Sequence, residues 1–361
     1  MLNFYEYKLP FARPFKTAKA EFSSRRGIIL QFKNQKFELL SEASPLPGFS
    51  KETVQQINKT LHQHRYTLDD FFQSGFSLAD LKIFLHEIPR FPSLQFAISY
   101  LGLAILSKKN KRSISDLTGI QPAKELFINQ TIGHTNEKSV LEQIDEAAQN
   151  GFQTIKIKAD STPKKLAATL AEASVKHPHI YFRIDANQSW PEEKVHEYSS
   201  LFSGINIQYI EEPTPVTTPE HLQTIQKKCA LPVAVDESIE TPQLLQAFLE
   251  SGPDLVVVLK PMLLGNIFTL LETIGNNRST HQNVVVTTAL ESKIGRTAVA
   301  VIASLVGDPA TAHGLNTGQL FEHDLFPDFP SVKNGVIKDP EAEYHLCTLQ
   351  NVEPSLIKHL E

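Results

Sequence analysis

Residues Thr154 to Asn187 read TIKIKADSTPKKLAATLAEASVKHPHIYFRIDAN. Thr154–Lys158 alternates as a strand does, with Ile155 and Ile157 on one face and Lys156 and Lys158 on the other. Thr162-Pro163 then offers an N-cap followed by a proline suited to a first helical turn. Ile180–Asp185 is a second apolar strand, so the stretch is one strand–helix–strand unit. The unit repeats on both sides, with further strand candidates at Leu126–Gln130, Ile205–Ile210, Pro232–Val235, Leu255–Lys260, Val284–Thr287 and Ala310–His313. Between them Thr218-Pro219 and Thr241-Pro242 repeat the capping device, and Ser189 with Glu192 resembles a capping box. Val140, Leu141, Ile144 and Ala147 keep a helical period that Asn150-Gly151 can end. Eight strands alternating with helices predict an α/β fold, a modified (β/α)8 barrel of the TIM type. In a barrel the isoleucines of 154–158 meet the helix layer and both lysines point inward.

The chain before this region has a different texture. Strand-like runs at Leu2–Tyr7, Gly27–Phe32 and Lys36–Leu40 precede helical patterns at Lys51–His62, Leu78–Glu87 and Ser93–Leu106. Segregated strands and helices predict an α+β unit. The expected organisation is an N-terminal α+β capping domain over 1–120, a barrel over 121–318 and a segment over 319–361 that returns to the cap.

A chain of 361 residues with 41% apolar and 21% charged residues has an ordinary globular composition and can bury a large core. A net charge of -5, with scattered basic residues, excludes the basic stripe of a nucleic-acid binder. No window approaches the ~20 apolar residues of a membrane span. Met1–Lys8 lacks the pattern of a signal peptide. Two isolated cysteines, Cys229 and Cys347, make neither a disulfide framework nor a thiolate metal site and fit a reducing cytoplasm.

The chemistry lies at the strand ends. From Lys158 to Asp185 is 27 residues, to Glu211 a further 26, to Asp236 25 and to Lys260 24. Each step is about one β/α unit, so one charged residue per unit forms a ring at the barrel mouth, where such enzymes keep their active sites. Asp-Ala-Asn, Glu-Glu-Pro or Lys-x-Lys alone is more often a solvated strand end; five in one register are not. Carboxylates aimed at one another raise each other's pKa. A hard divalent cation removes that conflict, and oxygen-only ligands suit Mg²⁺. Strand reading leaves open whether Glu211 or Glu212 faces the ion. A lysine near the ion and a second lysine has its pKa lowered toward neutrality, which makes it a usable general base. His134, His281 and His313 lack zinc spacing and are expected at the periphery or the surface; Cys229 is expected to be structural.

Lys156-x-Lys158, Asp185 in RIDANQSW, Glu211 in YIEEPT, Asp236 in VAVDES and Lys260 in LKP resemble the enolase superfamily, muconate-lactonizing subgroup. The resemblance spans nearly the whole chain. It implies Mg²⁺, with Mn²⁺ as a substitute, held by Asp185, Glu211 and Asp236. It implies Lys158 and Lys260 as the catalytic pair on opposite sides of a small carboxylate substrate. Lys156, Arg183, Asn187, Glu237, Thr287, Thr288, Glu291 and Ser292 would contact substrate or support the site. EASPLPGFS (42–50), RIDANQSW, LKPMLLGN and TTALESKIG (287–295) are similar to a dehydratase branch that serves menaquinone biosynthesis. In that branch Lys158 would act as base and then acid, and Lys260 as a fixed cation. Thr287-Thr288-Ala289 and Asn266 depart from that branch's pattern, and the loop near Phe15–Arg26 is expected to close over substrate.

Two other readings stand beside this one. The same lysines serve an N-acylamino acid racemase, a dipeptide epimerase or a cycloisomerase equally well, and the capping loop and Thr287–Ser292 would discriminate. A non-catalytic binding barrel predicts loss of a ligand or a lysine, and none is missing. Oligomeric state is not encoded in any of these motifs.

Overall fold

A computed structural model of the chain describes all residues except 17–20, 134–137, 160–162, 253–254, 278–282, 327–331, 343–347 and 361. The strands are β1 (Leu2–Lys16), β2 (Glu21–Lys33) and β3 (Glu38–Ala43), followed by β4 (Glu125–Phe127), β5 (Gln130–Ile132), β6 (Thr154–Lys158) and β7 (Tyr181–Asp185). Then come β8 (Ile207–Glu211), β9 (Val233–Val235), β10 (Val256–Leu259), β11 (Val284–Val286), β12 (Val336–Lys338) and β13 (Ile357–Leu360). They form an antiparallel sheet β13-β1-β2-β3, a seven-stranded parallel sheet β5 through β11 in chain order, and the small antiparallel pair β12-β4.

Parallel strands joined by helices are covered on both faces and read as unbroken apolar runs. Val233–Val235 and Val284–Val286 are buried throughout. The inner face of the sheet has a core of its own: Tyr209, Ala234, Val258 and Val285, one from each of four consecutive strands, pack together apart from the main core. Past the end of β11 the sheet continues by single parallel bridges, Thr287 to Gly314 and Ile128 to His313. The main core lies between the outer face, the helices and the N-terminal sheet. Helix Pro92–Asn110 is buried from Ser93 to Ser107 because it is sandwiched between β3 and the helices Pro261–Leu264 and Ile267–Asn277. No helix among the described residues is long and apolar enough to cross a membrane.

Several local expectations change. Leu126–Gln130 is two elements: β4 turns away to pair with β12, and only β5 enters the parallel sheet. Ala310–His313 forms no strand, only the bridge at His313. Ser189 caps nothing, because a 3-10 turn at Glu192–Lys194 starts after Pro191 without a side-chain cap. Thr218 and Thr241 do cap their helices, accepting from the backbone N–H of His221 and Leu244. Thr162, His134, His281 and Cys347 lie outside the described residues. Apart from 17–20, the segment 15–26 belongs to the β1–β2 hairpin rather than to a loop.

Candidate active site

The site follows from strand periodicity applied layer by layer. Lys156, Arg183, Tyr209, Ala234, Val258 and Val285 form a lower layer on the inner face. Two residues further along each chain, on the same face, come Lys158, Asp185, Glu211, Asp236, Lys260 and Thr287. Lys158 pairs in register with Asp185, and Asp185 with Glu211. The charged ring therefore lies at the C-terminal ends of the strands, on top of a packed floor that is apolar only from Tyr209 to Val285.

Arg183 belongs to that floor. It is fully buried, with Nε on Gln208 Oε1 at 2.7 Å, Nη1 on the Ala312 carbonyl at 2.7 Å and Nη2 on Thr311 Oγ1 at 2.9 Å. Its guanidinium lies 4.8 Å from the Tyr209 ring centroid. These contacts tie β7 and β8 to the 311–312 segment across the inner face, so Arg183 braces the floor beneath the ring. His313 beside it is also buried, not on the surface: Nδ1 accepts the Val286 N–H at 3.1 Å, which places the ring proton on Nε2. Burial, with Arg183 nearby, pushes its pKa down to about 3.

Asp185, Glu211 and Asp236 are all buried. Lys156 rises from the layer below to meet them, its Nζ 3.0 Å from Asp185 Oδ2 and 2.6 Å from Glu211 Oε1. Lys260 Nζ is 2.5 Å from Asp236 Oδ2. Burial works against the charge of Lys156, but Asp185 and Glu211 outweigh it and hold the ammonium well above the usual lysine range. Burial is likewise outweighed at Lys260, by Asp236 and Glu237. Burial together with the neighbouring carboxylates Asp185 and Asp236 drives Glu211 up. At Lys158 burial prevails over Asp185, and Lys156 and Lys260 add to it, so this lysine is pushed down.

Glu211 and Glu212 separate cleanly. Glu211 faces the ring, whereas Glu212, at φ 41, turns its side chain under the next strand end. Its Oε1 accepts the N–H of Asp236 at 2.8 Å and of Ser238 at 3.0 Å, and its Oε2 accepts Ser238 Oγ at 2.9 Å and Gln188 Nε2 at 3.1 Å. Burial, then Glu237, raises its pKa to about 7. Asn187 donates to Glu237 Oε1 at 2.8 Å, which places Glu237 beside the ring.

Thr287 follows β11 next to the Lys260 strand, its N–H on the Leu259 carbonyl at 2.8 Å. Thr288 Oγ1 bonds Thr317 Oγ1 at 2.8 Å. Glu291 and Ser292 face elsewhere: Ser292 caps helix Lys293–Val306 and, like Glu291, lies against Glu42 of the N-terminal sheet. A cavity of about 40 Å³ at the ring is lined by Asp236, Glu237, Lys260, Leu263 and also Phe49. Phe49 sits 5.8 Å from Lys260 Nζ. Sequence reasoning missed Phe49 and the bracing role of Glu212; the only signal was that both lie inside motifs already singled out, EASPLPGFS and YIEEPT. Cys229 is buried at a helix end, and burial pushes its thiol up, as expected of a structural cysteine.

Among the described residues no three carboxylates, imidazoles or thiolates stand together in an arrangement ready for an ion. Lys156 and Lys260 occupy that place, their ammonium groups standing in for a cation between the carboxylates. The donor set nonetheless suits a hard divalent ion. All its donors are carboxylate oxygens, and Glu211 Oε2 and Glu237 Oε2 are buried without any hydrogen-bond partner.

A seven-stranded parallel sheet with an acid–lysine ring at its C-terminal edge, beside an antiparallel sheet, defines a class. Residues 139–343 match the family described as Enolase C-terminal domain-like, and the chain belongs to that family. More particularly, residues 1–102 match the MenC N-terminal domain. Curated relatives include the o-succinylbenzoate synthases of Pasteurella multocida, 26% identical over 94% of this chain and 95% of that one, and of Haemophilus influenzae, 24% identical over 95% and 97%. Among solved structures, the substrate-liganded L-Ala-D/L-Glu epimerase from Bacillus subtilis superposes with a TM-score of 0.79 at 20% identity, covering 94% of this chain and 96% of that one. The o-succinylbenzoate synthase from Thermosynechococcus elongatus BP-1, complexed with Mg in its active site, gives 0.67 at 24% identity over 87% and 92%.

Proposed function

We infer that the chain is an o-succinylbenzoate synthase. It removes water from 2-succinyl-6-hydroxy-2,4-cyclohexadiene-1-carboxylate to give o-succinylbenzoate in menaquinone biosynthesis. The observation that carries this reading is one chain combining the MenC N-terminal domain with the ring Lys158, Asp185, Glu211, Asp236 and Lys260. We assign residues 1–120 as a cap, 121–318 as a barrel closed through His313–Gly314, and 319–361 as a segment returning to the cap through β13. The protein acts in the cytoplasm on a small carboxylate, without nucleic-acid or membrane partners.

Asp185, Glu211 and Asp236 would hold Mg²⁺, for which Mn²⁺ can substitute. When bound, the ion supplies positive charge that offsets the charge spreading onto the substrate carboxylate as its α-proton leaves. Lys158, depressed by burial and by two other lysines, takes that proton on Nζ as a neutral amine. The same ammonium then returns a proton to the C6 hydroxyl, which leaves as water while the C1–C6 double bond completes the aromatic ring. Lys260, held charged by Asp236 and Glu237, stabilises the planar intermediate without moving a proton. Lys156 keeps the carboxylates from repelling one another beneath the mouth.

Purified protein should dehydrate the cyclohexadiene substrate, lose the activity to a chelator and regain it with Mg²⁺ or Mn²⁺. Turnover of an N-acylamino acid or a dipeptide with no dehydration would move the assignment to a racemase or an epimerase. Full activity in a metal-free preparation would sink the metal assignment.

A further inference from the structure

The N-terminal sheet reaches across to the site through two buried charged residues that the mechanism does not use. Arg25, on β2, is 3% exposed. Its Nε donates to the Leu290 carbonyl at 2.9 Å and Nη2 to the Ala289 carbonyl at 3.4 Å. The same guanidinium donates to the carbonyls of Ser44 at 2.5 Å and Pro45 at 2.6 Å. One side chain thus anchors two segments. Ser44–Pro45 leads to Phe49, which faces Lys260, and 289–290 leads back to Thr287, which sits beside Lys260.

Glu42, on β3, is 1% exposed and completes the contact. Its Oε1 accepts from Tyr7 Oη at 2.6 Å and from the Ser292 N–H at 3.0 Å; its Oε2 accepts the Gly295 N–H at 2.8 Å and the Ser292 hydroxyl. A carboxylate from one sheet therefore occupies the N-terminus of helix Lys293–Val306, where N–H groups lack partners within the helix. Close approach makes this possible: a Cβ on Gly295 would fall 2.9 Å from Glu42 Oε2 and 2.5 Å from Glu291 Cβ. Between the two anchors Leu290 is held at φ 63, a conformation that a branched-chain residue adopts only under constraint.

We propose that Arg25 and Glu42 are positioning residues: together they fix segment 287–292 and the Phe49 loop against each other, so that the pocket beside Lys260 is preformed for the substrate. The inference rests on the dehydratase reading. Lys158 and Lys260 stand on β6 and at the end of β10, outside the latch, so the chemical step should survive once substrate is bound, while binding should not.

The test uses Arg25→Met and the nearly isosteric Glu42→Gln, which leaves one acceptor oxygen where two are needed. KM, kcat and Tm are measured in the full-length Mg²⁺ enzyme. A hydrogen bond to a charged group is worth enough that KM should rise about 10-fold or more, with kcat little changed, in each folded variant. Wild-type kinetics with only a lowered Tm, or loss in kcat at constant KM, would overturn the proposal. Should Arg25→Met fail to fold, Glu42→Gln alone decides by the same criteria. Absence of dehydration by the wild-type protein would instead refute the reading beneath it.

Discussion

Replacing Glu212 by alanine should weaken metal binding without touching any of the three proposed ligands. In the wild type its carboxylate holds the backbone N–H groups of Asp236 and Ser238 and the Ser238 hydroxyl. Alanine leaves these donors without their acceptor, and each buried donor left unmade costs about 1–3 kcal/mol. The strand end bearing Asp236 and Glu237 can relieve that cost only by moving, which spoils the aim of Asp236. Loss of a group that orients a metal ligand typically lowers affinity by about 10–100-fold. Glu212→Gln retains one carbonyl oxygen able to accept from both N–H groups, so it should lose only a few-fold. Titration calorimetry with Mg²⁺ on wild type and both variants separates the cases. A folded Glu212→Ala protein that binds Mg²⁺ as tightly as wild type would show that Asp236 needs no such support.

On the proposed mechanism the two lysines divide the labour. Lys158→Ala should cut kcat by about 10²–10⁴-fold, toward the larger end because both base and acid are lost; near-normal dehydration would exclude Lys158 as the base. Lys260→Arg should keep measurable activity and Lys260→Ala much less, since only charge is required there; equal loss in both would argue that Lys260 moves a proton. His313 makes a pH prediction. Its pKa is depressed in the fold, so its contribution to stability is present above the unfolded value near 6.5 and is lost as pH falls from there toward 3. Denaturant titrations should show a loss of about 1.4 kcal/mol between neutral pH and pH ~5.5 that His313→Asn, whose carbonyl can accept the Val286 N–H, does not show. An identical acid limb in both proteins would remove His313 from the account.

The ring was legible in the sequence because its spacing is a consequence of covalent length: a strand, a helix and two turns consume a similar number of residues each time. Periodicity then placed Lys156 and Lys158 on one face. It also separates Glu211 from Glu212 once the strand end is known, and the sequence does not reveal that end, because a left-handed residue at 212 leaves no compositional mark. Arg25 and Glu42 were illegible for another reason. Their partners in segment 289–295 lie more than 240 residues away, and nothing in the local pattern of β2 or β3 says that a buried charge will meet a helix start there. Leu126–Gln130 read as one strand because its apolar content suits either partner; only the arrival of β12 from far along the chain divides it.

Strand β13 has a consequence for how the chain is made. It pairs with β1, setting Leu360 opposite Phe4, so the N-terminal sheet is completed by residues made only after the whole parallel sheet. Until they emerge from the ribosome, the first three strands carry an open edge on β1 while the whole parallel sheet is assembled behind them. An open edge is a template for another chain. The growing chain is therefore open to pairing with its neighbours along β1 until β13 has been made.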